Sequence, residues 1–142
     1  MPAIVFCISN FAFLILSACS IPNLESSTCG QARDAVKQFY SFHFGNDMTP
    51  TPGNLKQRER FLTPDYFSTV ASTSDGKTDV FTGSQDYPKT FKVGKCVERG
   101  PSEADLQVQV YWRTDERTVQ KEVAVDARKS GDEWLINNVS SK

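Results

Sequence analysis

Histidine occurs once in the 142 residues, and tryptophan and methionine twice each. One histidine excludes a multi-histidine metal set, and the scattered carboxylates lack the spacing of a zinc or calcium loop. An excess of either charge is missing too. The 16 basic and 17 acidic residues are interspersed and leave a formal net charge of −1, which excludes the clustered basic face that nucleic acid requires. There is no G-x-S-x-G elbow, no phosphate-cradling glycine loop and no H-E-x-x-H, so no catalytic motif is recognisable and no cofactor or metal is expected. The expectation is a protein that is not an enzyme. No internal repeat or low-complexity segment is found, and no apolar run reaches the roughly 20 residues of a membrane-spanning helix. Charge is absent altogether before Glu25, including the Lys or Arg usual at the start of a secretory leader.

What is there begins with that uncharged leader. Residues 3–18 are almost wholly apolar and end in Leu16-Ser17-Ala18-Cys19. The tetrapeptide resembles the lipobox of bacterial lipoproteins: an aliphatic residue, two small ones, then the cysteine that is lipidated and becomes the mature N-terminus. Phe11 to Ala18 meets the need of a signal peptide for about 7–15 apolar residues and a small-residue cleavage point. The resemblance implies a signal peptide over 1–18, a lipid on Cys19 and attachment to the membrane through it. An uncleaved anchor is the competing reading. Ser20 stands where many lipoproteins kept at the inner membrane carry aspartate, which implies the outer membrane, facing the periplasm. Residues 19–28 read as a polar tether and 29–142 as a single domain, a length able to bury one core.

The cysteines divide accordingly. Cys7 leaves with the leader, Cys19 is taken by lipid, and Cys29 and Cys96 remain as an even pair in an oxidising compartment. A bridge between them would close a loop on the order of 66 residues and stabilise by about 4 kcal/mol on the chain-entropy model. Two separate thiols are the alternative, because spacing does not fix geometry.

Along the domain the hydrophobic period changes once. Thr28 and Gln31 fit a capping box, and Ala32, Ala35, Val36, Phe39, Tyr40 and His43 recur at helical spacing, predicting a helix over about 29–42. Residues 48–53 read as a loop. A short helix is expected over 54–61 with Leu55 and Leu62 inward and Lys56, Gln57, Arg58 and Glu59 solvated. Thr63-Pro64-Asp65 then supplies a hydroxyl cap, proline at the first helical position and a carboxylate near the positive helix end, opening another short helix. Residues 79–82 read as a short strand. Beyond them residues alternate over 89–98, 106–112 and 119–127, with a last strand at 134–136, which predicts an antiparallel meander. Helices first and strands afterwards make the fold class α+β, with N-terminal helices packed on one face of the sheet.

This order of elements resembles the cystatin-like, cone-shaped fold of nuclear transport factor two, in which the antiparallel sheet is curved. The residues carrying the resemblance are Ala35-Val-Lys-Gln-Phe-Tyr40, Phe61-Leu-Thr-Pro-Asp-Tyr-Phe67, Asp86-Tyr-Pro88, Val108-Gln-Val-Tyr-Trp112 and Gly131-Asp-Glu-Trp-Leu-Ile-Asn-Asn-Val139. Within that superfamily the chain looks like a group of small bacterial lipoproteins of unknown function. The resemblance implies a fold and a lipid anchor and assigns no chemistry.

Two sets of side chains are candidates for a site. Enzymes of this superfamily place acids and histidines inside the cone, so Tyr40, His43 and Asp65 form a candidate pocket; the plainer reading of His43 is a partly buried residue at a helix end. On the second strand Gln107, Gln109, Tyr111 and Arg113 alternate away from the apolar face and form a candidate partner surface. Trp112, Trp134, Phe91 and Tyr111 either line a pocket or, in the tryptophans' case more simply, fill the core. The functional expectation is an envelope lipoprotein that binds another envelope protein, a toxin or a cell-wall component. A small-molecule carrier and a superfamily-type acid–base enzyme are the alternatives, and a homodimer through the sheet face competes for the partner surface.

Overall fold

A computed structural model describes residues 24–113 and 116–141. Three helices, α1 (Ser27–Phe44), α2 (Pro52–Arg58) and α3 (Pro64–Thr73), precede four strands, β1 (Thr90–Gly100), β2 (Glu103–Arg113), β3 (Thr118–Ser130) and β4 (Glu133–Ser141). A short 3-10 turn over Glu59–Phe61 continues α2. The strands form one antiparallel meander in the order β1-β2-β3-β4. The α+β class and the curved sheet under N-terminal helices are as the sequence predicts. Irregular pairing between Val93 and Cys96, between Glu98 and Gly100, and opposite Asp126 and Ala127 adds residues to one strand of each pair, which bends the sheet.

Each helix starts on a side-chain cap. For α1 that cap is Ser26, whose Oγ accepts from the Cys29 N–H at 3.1 Å, and not Thr28. Three hydroxyls follow one another here, and starting at the first lets Glu25, just outside the helix, meet Arg33 at 3.0 Å. The helix therefore starts at Ser27, two residues before the expected position 29. Thr51 caps α2 with Pro52 in the first turn, so Pro52 and Gly53, expected in a loop, are helical. Thr63 caps α3 with Pro64 and Asp65 behind it, as predicted.

Residues 79–82 are a tight turn, not a strand. Asp79 N–H donates to Ser84 O at 2.9 Å, Gly83 N–H donates to Asp79 O at 2.7 Å, and Asp79 Oδ1 accepts from Phe81 N–H at 3.1 Å. Gly83 closes the turn at φ +63°, and a Cβ there would stand 2.7 Å from Ser141 Cβ, so only glycine fits. The turn drives Phe81 into the core.

That core lies between α1 and one sheet face. Ala32, Val36, Phe39 and Tyr40 of α1 meet Leu106, Val108 and Val110 of β2, Val123 and Val125 of β3 and Ile136 of β4, all buried. Each such large apolar side chain contributes about 1.5–3 kcal/mol on burial. Cys29 and Cys96 are bonded, with 5.9 Å between their Cα atoms, and the bridge ties the first turn of α1 to the irregular stretch of β1. Arg33 reinforces the junction by donating to the Val93 and Gly94 carbonyls at 3.2 and 2.6 Å.

Candidate functional site

The last turn of α1 carries His43 into the core, where it meets two ionised groups. Arg58, the last residue of α2, donates from Nε–H to His43 Nδ1 at 2.7 Å. On the other side of the ring His43 Nε2 lies 2.9 Å from Asp79 Oδ2, which also accepts from Thr82 Oγ1–H at 2.6 Å. A guanidinium only donates, so His43 Nδ1 must accept, and the imidazole is the neutral tautomer with its proton on Nε2. His43, Arg58 and Asp79 are each 1 % exposed. The remaining Arg58 N–H groups reach backbone carbonyls, Asn54 O at 2.7 Å and Asp47 O at 2.8 Å. Burial lowers the Arg58 pKa, opposed by the charge of Asp79.

Arg58 thus sits in the interior and not in solvent as its sequence context suggested. The apolar stripe of α2 explains why. Leu55, Arg58 and Leu62 fall on one side, and the middle position meets His43, which the Asp79 turn holds from the other side of the ring. An arginine spaced three and four residues from two inward leucines was the available signal.

The predicted trio of Tyr40, His43 and Asp65 is divided. Tyr40 and His43 are neighbours, with ring centroids 6.4 Å apart, but the carboxylate beside His43 is Asp79; Asp65 is exposed in the first turn of α3. Tyr40 donates its hydroxyl to Phe81 O at 2.8 Å, and burial raises its pKa well above the ordinary tyrosine value. Tyr66, nearby, is pushed up to about 12 by the same cause. Phe39 stacks on the His43 ring at 5.6 Å and Phe81 meets its edge at 5.1 Å.

A general base needs a free lone pair within reach of a substrate proton. Here the lone pair of Nδ1 holds Arg58, and aromatic rings occupy the space around the imidazole. Two hollows of about 990 and 510 Å³ open on the surface, and neither is lined by Tyr40, His43 or Asp79. Among the described residues no buried side-chain nitrogen or oxygen lacks a hydrogen bond. The arrangement works as a strut joining α1, α2 and the Asp79 turn.

The opposite face of the sheet is built differently. Gln107, Gln109 and Tyr111 are half-buried and Arg113 is exposed, all alternating away from the core-facing residues of β2. The Tyr111 hydroxyl donates to Gln109 Oε1 at 2.8 Å. Nearer Glu103 the same face carries ion pairs, Arg99 with Asp105 at 2.8 Å and with Asp126 at 2.6 Å, beside Val97, which is 48 % exposed. Phe91, Trp112 and Trp134 are partly buried against the core, the indoles donating to Asp86 O at 2.6 Å and Gln31 Oε1 at 3.1 Å.

Metal-ligating atoms of Glu25, Cys29 and Cys96 gather within 4.8 Å, but the sulfurs are bonded to each other and Glu25 pairs with Arg33. Cys19, the predicted lipidation site, and the signal peptide over 1–18 lie outside the described residues. No helix among the described residues is long and apolar enough to cross a membrane.

Neither a family model nor a curated protein matches the sequence. Solved structures do match the fold. A chain in the crystal structure of the type VI native effector–immunity complex Tae3–Tai3 from Ralstonia pickettii aligns with a TM-score of 0.57 and 15 % identity, over 78 % of this chain and 94 % of that one. A protein of unknown function from Bacteroides thetaiotaomicron aligns at 0.52 and 14 %, over 80 % and 88 %. An Ntf2-like protein involved in plasmid conjugation aligns at 0.51 and 13 %; this chain covers 83 % of itself there but spans 40 % of the length of that protein. The fold is nuclear transport factor two-like. At such identities the likeness concerns architecture, and the chemistry has to come from this chain's own residues.

Proposed function

We propose that the protein is a non-enzymatic, lipid-anchored domain of the bacterial envelope that binds another protein through the outer face of its sheet. The observation that carries this reading is the sealed interior. The side chains suited to acid–base work, Tyr40, His43 and Asp79, are at most 1 % exposed and hydrogen-bonded within the protein, and Phe39 and Phe81 pack against the His43 ring. The outer face supplies what an interface uses: a half-buried tyrosine, two glutamines, arginines at both ends and an exposed valine. A neighbouring fold found in an effector–immunity complex supports a protein partner over a small molecule. The lipid on Cys19 rests on the Leu16-Ser17-Ala18-Cys19 tetrapeptide, and the outer-membrane location on Ser20 behind it.

Site-directed photocrosslinking in cells tests the surface. A crosslinker at Tyr111 or Gln107 should give one discrete adduct that a crosslinker at Asp65 does not. An adduct of two copies of the chain would mean that the face is a dimer interface, and no adduct from either sheet position would overturn the reading. Cys19→Ser tests the anchor: the protein should leave the membrane fraction, and unchanged retention there would refute lipidation.

A further inference from the structure

The groove of about 990 Å³ runs along the outer side of α1, between that helix, the 3-10 turn and the hairpin joining β3 to β4. Its helical wall extends from Gln31 to Phe42, a rise of about 16 Å at 1.5 Å per residue. Its lining mixes polar side chains with the apolar Ala35, Phe42, Phe61 and Trp134. Gln31 accepts from the Trp134 indole N–H at 3.1 Å and fixes that ring as the wall of one end.

Charge is polarised along this groove. Asp132 and Glu133, next to Trp134, stand at the Gln31 end, and neither pairs with a cation among the described residues. Arg60 stands at the Phe42 end, its guanidinium 4.7 Å from the centroids of both Phe42 and Phe61. Stacking on two rings orients the guanidinium plane without using its N–H groups, and Arg60 meets no carboxylate among the described residues. Two further charges line the helix wall, Asp34 toward the Gln31 end and Lys37 midway along it. The groove thus has an acidic end at Asp132 and Glu133 and a cationic end at Arg60, with apolar side chains between them.

We propose that this groove is a second docking site, which takes an extended peptide segment of a protein partner with an acidic group on Arg60 and a basic group at Asp132 and Glu133. The inference rests on the reading that the protein binds proteins, and it adds a surface distinct from the sheet face. About five extended residues, at roughly 3.3 Å each, match the helical wall. Nucleic acid would meet Asp132 and Glu133 with like charge, and an acyl chain would leave three charges without partners. An extended peptide satisfies both ends and the apolar side chains between them.

Panning a random linear heptapeptide library on the full chain, purified in mild detergent and immobilised, tests this. Selected peptides should share an acidic and a basic residue separated by apolar ones. On Arg60→Glu the acidic preference should disappear with at least a tenfold loss of enrichment, and on a protein carrying Asp132→Lys and Glu133→Lys the basic preference should go. All these positions are exposed, and an unchanged thermal midpoint shows that the variants fold. No enrichment above an unrelated immobilised protein overturns the proposal, as does a consensus that is the same on all three proteins. Peptides lost on Tyr111→Ala but kept on Arg60→Glu would overturn the groove while supporting the sheet face.

Discussion

The chain builds two polar clusters from similar side chains and places them in opposite surroundings. Inside, Arg58, His43, Asp79, Thr82 and Tyr40 touch almost no water, and their polar atoms are held by partners within the protein. Outside, Gln107, Gln109, Tyr111, Arg113 and the Arg99 ion pairs lie on a sheet face with water beside them. Burial decides what each can do. A buried guanidinium and carboxylate bridged by an imidazole are costly to separate, because removing one leaves the other charged and unpaired in a low dielectric. An exposed pair of the same kind contributes about 0–1 kcal/mol and can exchange its partner for another molecule. The same residue types therefore act as fixed structure in the interior, while on the surface they stay open to the recognition proposed above.

Breaking the inner cluster should have the largest effect. Asp79→Ala removes the stronger of the two carboxylate charges acting on buried Arg58 and the acceptor of His43, and should lower stability by about 3–5 kcal/mol, read as the shift of a urea midpoint. If the loss stays below about 1 kcal/mol, water already reaches the cluster. Opening the Cys29–Cys96 bridge should cost about 4 kcal/mol on the chain-entropy model, and comparing oxidised and reduced protein in urea measures it. That bridge lies at the rim, so reduction should leave the environment of His43 unchanged in the protein that remains folded.

A smaller and graded effect comes from the buried tyrosines. Burial raises Tyr66 to about 12 and holds Tyr40 well above the ordinary tyrosine value. The folded state thus holds these protons more tightly than the unfolded chain, whose tyrosines titrate near 10. The contribution of Tyr66 is complete below pH about 10 and is lost as pH rises through about 12, and that of Tyr40 is likewise lost only above the ordinary tyrosine range. The urea midpoint should fall over that window, the tyrosinate absorbance of Tyr66 and Tyr40 should lag behind that of unfolded chain, and Tyr66→Phe should remove part of the lag. The smallest effect belongs outside. Tyr111→Ala should change stability by less than about 0.5 kcal/mol while abolishing the crosslink from Gln107. A large destabilisation there would mean that the outer face is structural too.

Much of the scaffold was legible because its signals were redundant. The stripe from Ala32 to His43, the Thr63-Pro64 start and the alternation of Leu106, Val108 and Val110 each combine period, cap and composition, and each element stands where these agree. The inner cluster was legible only in part. His43 stood out as the one histidine, but its partners were hidden by local rules that tertiary contacts override. Arg58 lies among Lys56, Gln57 and Glu59 and reads as solvated, although its spacing from Leu55 and Leu62 points inward. Asp79 precedes Val80 and Phe81, which look like a strand, while the side chain of Asp79 and the positive φ of Gly83 make a turn. The groove beside α1 needs three separated segments and no local pattern announces it.

The solvent reactivity of His43 tests the sealed interior most directly, and with one histidine in the chain it needs no assignment. Diethyl pyrocarbonate modifies an accessible imidazole nitrogen, and in this fold Arg58 and Asp79 hold both. The His43 peptide should stay unmodified in the folded protein under conditions that modify it fully in urea. Rapid modification without unfolding would contradict the account, because it would mean an open interior where the imidazole is free to act on a ligand.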